Sequence, residues 1–219
     1  MHNIKIEPAI TLVEGLGQIS KEQQNAADEV WQHALQTKSQ LRDNPILCIT
    51  KREETALHVS WLPYRLYYAQ FFLEKGCFPT LFALCVTGIV RKSKKVLLGK
   101  RSNRVTQYPG CWECIPAGGI ESAALDEEGS ISPQTQLLKE FEEETGLNRD
   151  AIKQMRFASL LRDSEARCID LCYNIFLETE LSPIPSEEHT EVEWFDLTAL
   201  PSAALPSIPS LKELTTTIF

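Results

Sequence analysis

The chain has 219 residues, of which 43% are hydrophobic, and carries a formal net charge of −8 at pH 7. This length and apolar fraction suit a globular protein with one large domain, or one domain with an appendage. The negative charge argues against an electrostatic grip on nucleic acid or an anionic membrane, because both partners would be repelled. Divalent cations could still bring a phosphate compound to an acidic protein.

The N-terminus has no basic segment followed by an apolar run, so we expect no secretory signal. The longest apolar stretch, residues 77–90, contains Pro79 and falls short of the ~20 residues that a membrane-spanning helix needs. The seven cysteines are scattered through apolar segments and lack the density of a secreted disulfide scaffold. We therefore expect a cytoplasmic protein whose thiols are mostly buried.

Residues 1–76 are predicted to form an N-terminal α+β extension. Ser20 and Gln23 make a capping-box pattern before an apolar helical stripe of Ala27, Val30, Trp31, Ala34 and Leu35. The segments "ILCIT" and "ALHVSWL" predict strands, and the chain can turn helical after Pro63. Aromatic residues here could wall a substrate pocket, but such runs more often form core or a homodimer interface; they are Trp61, Tyr64, Tyr67 and Tyr68.

The pattern changes after the extension, and residues 77–219 are predicted to form the main domain. The run "LFALCVTGIV", the turn "RKSKK" and the run "VLLGKRS" predict a β-hairpin. A third strand in "CWECIPAGGIES" is expected to run into a Gly-Gly turn, and two more are predicted in "KQMRFASLLRDSEA" and "CIDLCYNIFLETEL". A loop, a short strand and a helix start follow in "PIPSEEHTEVEWFDLTAL", with one short helix in the proline-punctuated tail.

A helix is predicted between the third and fourth of these strands, and it contains the segment "LLKEFEEETGL". Ser132 can act as its N-cap, Pro133 suits the first helical position, and Gly146 can end the helix. The helix therefore has both a start signal and a stop signal.

Carboxylates crowd the end of this helix. At 100° per residue, Glu140, Glu143 and Glu144 fall within about a 100° arc, while Glu142 points away. Bare glutamate runs are usually solvated faces, and like charges one turn apart repel each other. Oxygen ligands on one face also suit hard divalent cations, which would relieve the repulsion.

The helix resembles the second half of the Nudix box, Gly-x5-Glu-x7-Arg-Glu-hydrophobic-x-Glu-Glu-x-Gly-hydrophobic. Lys139 stands in the arginine place, and the matching positions are Glu140, Phe141, Glu143, Glu144, Gly146 and Leu147. The flanking segments "VLLGKRS", "YPGCWECIPAGG" and "EEHTEVEWFDL" are similar to those around the box in this superfamily. The likeness covers about residues 80–200. It implies an α/β fold, a Nudix-like α/β/α sandwich around a mixed β-sheet.

The resemblance implies a metal-dependent pyrophosphohydrolase that cleaves the diphosphate of a nucleoside diphosphate linked to another moiety, such as a nucleotide-sugar or ADP-ribose-like compound. The expected partner is therefore a small molecule, with no nucleic acid and no membrane. Glu140, Glu143 and Glu144 would be catalytic and would hold Mg²⁺ or Mn²⁺ together with the carbonyl of Gly118.

The same resemblance points to a base on a loop and to two substrate contacts. Glu187 and Glu188 lie where many members carry a loop glutamate, and Glu188 is taken as the base that accepts a proton from the nucleophilic water. Arg101 and Lys139 are assigned to substrate binding. Each of these residues also has an interpretation without a function. The loop glutamates can be solvated acids, Arg101 a surface charge at a strand end, and Lys139 the partner of Glu143 in an ion pair.

The chain departs from the box in two ways. Gly119 lies twenty positions before Lys139, which is six more than in the box. The glutamate of the box falls on Ile131, so that ligand is absent in register and three acids could replace it: Glu121, Glu127 or Glu128. A lysine also lacks the planar fork of an arginine, so weaker ordering of the carboxylates is expected.

Cysteine and histidine patterns give weaker signals. The spacing of Cys111 and Cys114 suits zinc or redox chemistry, but no second pair matches it and the segment is strand-like, so both functions are discounted. Cys168 and Cys172 are spaced too widely for a zinc knuckle. His189 is expected to be a surface histidine.

Two other functions stay open at this point. The missing glutamate is compatible with a protein that binds or senses a nucleotide metabolite without cleaving it. An isomerase that uses a cysteine and a glutamate on an allylic diphosphate is the third option.

Overall fold

The computed structural model describes residues 6–14, 19–38, 41–74, 76–126, 128–178 and 182–203. The helices are α1 (Lys21–Thr37), α2 (Tyr64–Ala69) and α3 (Pro133–Thr145). The strands are β1 (Ala9–Leu12), β2 (Pro45–Arg52), β3 (Ala56–Pro63), β4 (Phe82–Lys92), β5 (Lys95–Arg101), β6 (Trp112–Cys114), β7 (Ala117–Gly119), β8 (Ile152–Asp163), β9 (Cys168–Leu177) and β10 (His189–Asp196). Short 3-10 helices occupy Ser122–Ala124 and Arg149–Ala151.

These strands form one mixed ten-stranded sheet with β4 near its middle. Along one path the order is β1-β3-β2-β4-β5-β10, and β9 runs parallel to β4 with β8 antiparallel beside it. The short strands β6 and β7 pair with β5 and β4, respectively. The predicted hairpin at β4 and β5 and the two strands β8 and β9 are confirmed.

Helices cover both faces of the sheet. Successive side chains of β4 point to opposite faces and pack against different helices. Leu84 and Val86 belong to the core cluster that contains Leu137 and Phe141 of α3. Their neighbour Ala83 packs in a second cluster with residues of α1 and α2, such as Ala27 and Leu66. The fold is therefore an α/β/α sandwich around a mixed sheet, as expected.

The N-terminal segment shares this sheet with the rest of the chain. Cys48 and Ile49 of β2 pair with Ala83 and Phe82 of β4. The division of the chain at residue 76 stays a prediction, and the sheet is continuous across it. Helix α1 has the predicted capping box, in which Ser20 accepts the N–H of Gln23.

Helix α3 begins and ends where its signals predicted. The hydroxyl of Ser132 accepts the N–H of Thr135 at 3.2 Å, and Pro133 is the first helical residue. Gly146 adopts a φ of +65°, and its N–H donates to the carbonyl of Glu142. A left-handed residue at the helix end is favourable for glycine because no Cβ clashes with the backbone.

Two local predictions were wrong. Gly118 and Gly119 do not form a turn but lie in β7, because their backbone pairs with Val86 and Cys85 of β4. No helix starts after β10 within residues 197–203, where the carboxylate of Asp196 accepts the N–H and hydroxyl of Thr198 and closes a turn. The short helix predicted for the tail falls in residues 204–219, outside the described residues.

In the described part of the chain, no helix combines the length and apolarity that a membrane span requires.

Candidate active site

A cleft opens beside β7 and consists of two adjoining cavities of about 240 Å³ and about 780 Å³. Both are lined by Cys85, Arg101, Gln107, Gly119 and Glu188. Gly118 and Glu113 also line the smaller cavity, whereas Leu41, Ile46, Tyr64 and Tyr67 from the N-terminal segment line the larger one. Three of the predicted site residues therefore face one cleft: Gly118, Arg101 and Glu188.

The carboxylates of Glu140 and Glu144 lie on α3 behind β7. Glu144 is only 4% exposed, and its Oε2 accepts the N–H of Ala117 at 2.9 Å. The Oε1 of Glu140 accepts a hydrogen bond from Nε2 of Gln136 at 2.6 Å. Gln136 also accepts the N–H of Glu121, so this buried amide ties the inserted loop to the helix.

Burial governs the protonation of these two acids. It raises the pKa of Glu140 to about 7, although Gln136 and Lys139 act in the opposite direction. Burial also raises the pKa of Glu144 well above its usual value, and the neighbouring carboxylates of Glu113 and Glu140 add to the effect. Negative charge is therefore costly here unless a cation compensates it.

Gly118 allows α3 to approach β7 closely. A Cβ at this position would lie 2.6 Å from the Cδ of Glu140, whereas a Cβ at Gly119 would meet nothing within 4 Å. The two adjacent glycines therefore differ. A side chain at position 118 would displace the carboxylate of Glu140, whereas a Cβ at position 119 would meet no protein atom. The structure thus brings together Gly118 and Glu140, which the resemblance had paired.

Glu143 is exposed and Glu142 is half-exposed. Glu142 points away from the cleft, as the helical periodicity predicted, and pairs with Arg149 at 2.5 Å, which lowers the pKa of Glu142 to about 2. Glu143 pairs with Lys139 at 3.2 Å. The ion pair that was the alternative for Lys139 is thus present, and a substrate contact for this lysine stays a prediction.

The inserted loop brings one of its acids to α3. Glu121 lies 3.1 Å from Nζ of Lys139, whereas Ile131 packs against the hydrophobic core. Glu128 is exposed, and Glu127 lies outside the described residues. Of the two candidate acids that the structure describes, Glu121 is the one that contacts Lys139 beside the helix carboxylates.

His189 is buried, so the prediction of a surface histidine was wrong. It is 1% exposed, and its Nε2 lies 2.8 Å from Oε1 of Glu113 while its Nδ1 lies 3.9 Å from Oε1 of Glu144. The ring fits because β5 has Gly99 against it, where a Cβ would lie 2.6 Å from the ring carbon Cδ2. A glycine inside the strand "LLGKR" was the available signal, since such glycines mark close approach.

Glu113 is a site residue that the sequence reasoning missed. It is 6% exposed, and Nη1 of Arg101 lies 2.5 Å from the same Oε1 that contacts His189. Arg101 also donates from Nε to the carbonyl of Gln107 at 2.9 Å, so its guanidinium is held at the cleft wall. The available signal for Glu113 was its place between apolar residues of the strand "CWEC". An acid that becomes buried in a strand needs charged or polar partners.

The donor set fits a hard divalent cation. The residues supply carboxylate oxygens and a backbone carbonyl, and several carboxylates are buried close to one another. Within the described part of the chain, the oxygens of Glu140, Glu143 and Glu144 do not all lie within 4.8 Å of one another. Each is held by a different partner, namely Gln136, Lys139 and the Ala117 N–H, and like charges favour the separation.

Comparison with known proteins agrees with this geometry. The NUDIX domain family matches residues 81–216. An ADP-ribose pyrophosphatase of Methanocaldococcus jannaschii is 30% identical over 134 residues, which are 60% of this chain and 72% of that protein. The fold and the carboxylate helix define a hydrolase of the Nudix type. The chain belongs to the Nudix family.

Solved structures are similar in fold at low sequence identity. A bifunctional NMN adenylyltransferase/ADP ribose pyrophosphatase from Francisella tularensis aligns over 69% of this chain and 44% of that one, with a TM-score of 0.50 and 15% identity. The NUDIX domain of Shewanella oneidensis NrtR, complexed with ADP ribose, aligns over 68% of this chain and 96% of that one, with a TM-score of 0.47 and 20% identity.

Proposed function

We propose that the protein is a metal-dependent pyrophosphohydrolase that cleaves the diphosphate of a nucleoside diphosphate linked to another moiety, a nucleotide-sugar or ADP-ribose-like compound. The observation that carries the proposal is the packing of half-buried Glu140 and buried Glu144 against β7, which lines the same cleft as Arg101 and Glu188. The activity named for the archaeal relative supports an ADP-ribose-like substrate.

Mg²⁺ or Mn²⁺ would be held by Glu140, Glu143, Glu144 and the carbonyl of Gly118, with Glu121 in the place of the missing box glutamate. When bound, the cation neutralises the negative charge that develops on the phosphoryl oxygens during phosphoanhydride cleavage. Glu121 and Glu143 both contact Lys139, so each would have to exchange that contact for the metal.

The residues at the cleft wall would bind the diphosphate and remove a proton. Arg101 would contact a phosphate oxygen, and its ion pair with Glu113 fixes the guanidinium before substrate arrives. The carboxylate of Glu188 would accept the proton of the nucleophilic water. Its position at both cavities supports this role.

The larger cavity would take the part of the substrate beyond the diphosphate. Its volume of about 780 Å³ suffices for a nucleoside or a sugar, and Tyr64, Leu41 and Ile46 give it an apolar wall. The N-terminal segment would then contribute to substrate choice. Tyr67 lines this wall too, but its ring is mostly buried in the core.

The proposal also covers the location of the protein and its partners. We infer a cytoplasmic enzyme that acts on a small molecule, without nucleic acid or membrane partners. A homodimer stays open.

A panel of diphosphate compounds incubated with Mg²⁺ or Mn²⁺, with products identified by mass spectrometry, tests the function. We expect a nucleoside monophosphate and the phosphate of the other moiety from at least one nucleotide-sugar or ADP-ribose-like compound. Tight binding by isothermal titration without any product would instead support a nucleotide-binding protein. Turnover that leaves the diphosphate intact would support an isomerase.

A further inference from the structure

Two thiols and a carboxylate meet at the smaller cavity, on a part of the sheet that the proposed hydrolysis does not use. Cys85 lies on β4, and Cys168 and Asp170 lie on its parallel neighbour β9, where Cys85 is paired with Asp170. Residues two apart on a strand share a face, so all three side chains project from the same face of the sheet. All three line the cavity.

The distances among these side chains are those of a ligand cluster. Both Sγ atoms and a carboxylate oxygen lie within 4.8 Å of one another. Two sulfurs bound at about 2.3 Å to one tetrahedral zinc ion lie roughly 3.8 Å apart. The two sulfurs therefore need to approach each other by at most about 1 Å to coordinate one ion.

Hydrogen bonds to both oxygens hold the carboxylate of Asp170 in place. The hydroxyl of Thr87 donates to Oδ1 of Asp170 at 3.1 Å, and the thiol of Cys168 donates to Oδ2 at 3.5 Å. The acidic side chains of Asp163 and Glu113 disfavour a negative charge on Asp170. A half-buried carboxylate that faces two thiols and further acidic side chains gains from a cation.

We infer that Cys85, Cys168 and Asp170 form a zinc site at the wall of the cleft. Two sulfurs favour a thiophilic ion over Mg²⁺ or Mn²⁺, and zinc accepts a mixed set of thiolate and carboxylate ligands. Thr87 orients the carboxylate as an outer partner, and the fourth position faces the cavity. Binding displaces the thiol protons into solvent, since zinc binds the thiolate.

The site stands independently of the hydrolysis, so its test needs no substrate. The full-length protein is kept reduced with a phosphine, freed of divalent metals and titrated with Co²⁺. A thiolate ligand gives cobalt a near-ultraviolet charge-transfer band, which the oxygen ligands of α3 cannot give. We expect this band to saturate at one Co²⁺ per chain and to disappear on addition of Zn²⁺. Absence of the band in the unaltered protein would overturn the inference.

Substitutions of the individual ligands test where the ion binds. Cys85→Ser and Cys168→Ser should abolish the band, whereas Cys77→Ser, which removes an exposed thiol, should retain it. Thr87→Val leaves all three ligands in place and should weaken zinc binding about tenfold. Far-ultraviolet circular dichroism confirms that each variant is folded. A band that survives both serine variants at the cluster, or that is lost in Cys77→Ser, contradicts the site, as does unchanged zinc affinity in both Thr87→Val and Asp170→Asn.

Discussion

At the residue scale, position on one helix separates carboxylates that are adjacent in sequence. Glu144 is buried and bonded to the N–H of Ala117, whereas Glu142 is half-exposed and paired with Arg149. In the proposed hydrolase the first would hold a cation behind the cleft, whereas the second balances the charge of Arg149. The sequence pattern predicted this division because the helical period alone determines it.

Glu144→Gln should lower turnover at least roughly 100-fold, because a neutral amide loses the charge that attracts the cation. Glu142→Gln is the matched control and should change turnover little, since its partner Arg149 is remote from the cleft. Steady-state kinetics on the substrate found by the panel measures both. Equal losses at the two positions would contradict the assignment of roles on α3.

Gly118→Ala should reduce turnover by about 100-fold, because the new Cβ would displace the carboxylate of Glu140 and misplacement near 1 Å has effects of that size. Gly119→Ala adds the same methyl group where no protein atom lies within 4 Å and should leave the manganese affinity nearly unchanged. Kinetics and manganese affinity are measured for both variants. Indistinguishable values would show that the contact between Gly118 and Glu140 does not matter.

The raised pKa of Glu140 predicts how cations affect stability with pH. Its folded pKa of about 7 exceeds the usual 4.5, so the folded state binds the extra proton and stability falls as pH rises between these values. A divalent cation offsets this loss only where Glu140 is ionised. Mn²⁺ should therefore raise the melting temperature more at pH 8 than at pH 5, and Glu140→Gln should reduce that difference. An equal rise at both pH values would contradict the assignment.

At the element scale, α3 was predictable and the loop before it was not. The cap at Ser132, the proline after it and the glycine at the end are local signals. The choice of Glu121 over Glu128 depends on how the inserted loop folds against Gln136 and Lys139, which no local pattern encodes. Local signals thus determine the ends of the helix, whereas tertiary contacts determine that Glu121 of the loop packs against it.

Gly146→Ala should destabilise the protein by about 1 kcal/mol, because an L-residue at a φ of +65° clashes with its own backbone. Urea unfolding followed by circular dichroism measures the change. Gly119→Ala serves again as the control, since its φ is not in the left-handed region. An unchanged unfolding midpoint in Gly146→Ala would show that the helix end relaxes into another conformation.

At the scale of the whole molecule, contacts between distant segments build the site. His189 reaches Glu113 across 76 positions of sequence, and Cys85 meets Cys168 through pairing of β4 with β9. Sequence periodicity identifies strands but not their neighbours, so the buried histidine, Glu113 and the thiol cluster escaped prediction. The family resemblance supplied the carboxylate helix, whereas long-range pairing determined what surrounds it.

The N-terminal segment should be needed for stability. Leu62 and Leu66 pack in one cluster with Ala83, and β2 pairs with β4, so residues 77–219 alone would expose this apolar face and a strand edge. We expect that fragment to aggregate or to unfold at a lower temperature than the full chain, as measured by scanning calorimetry. A fragment with the melting temperature of the full chain would contradict this view of the sheet.

The central claim is that buried glutamates beside β7 bind the divalent cations of a diphosphate hydrolase. Anomalous diffraction from crystals soaked in Mn²⁺ tests it most directly. We predict a manganese peak next to Glu140, Glu144 and the carbonyl of Gly118. Crystals that show no manganese at these residues, in protein that still turns over a diphosphate, would contradict the account.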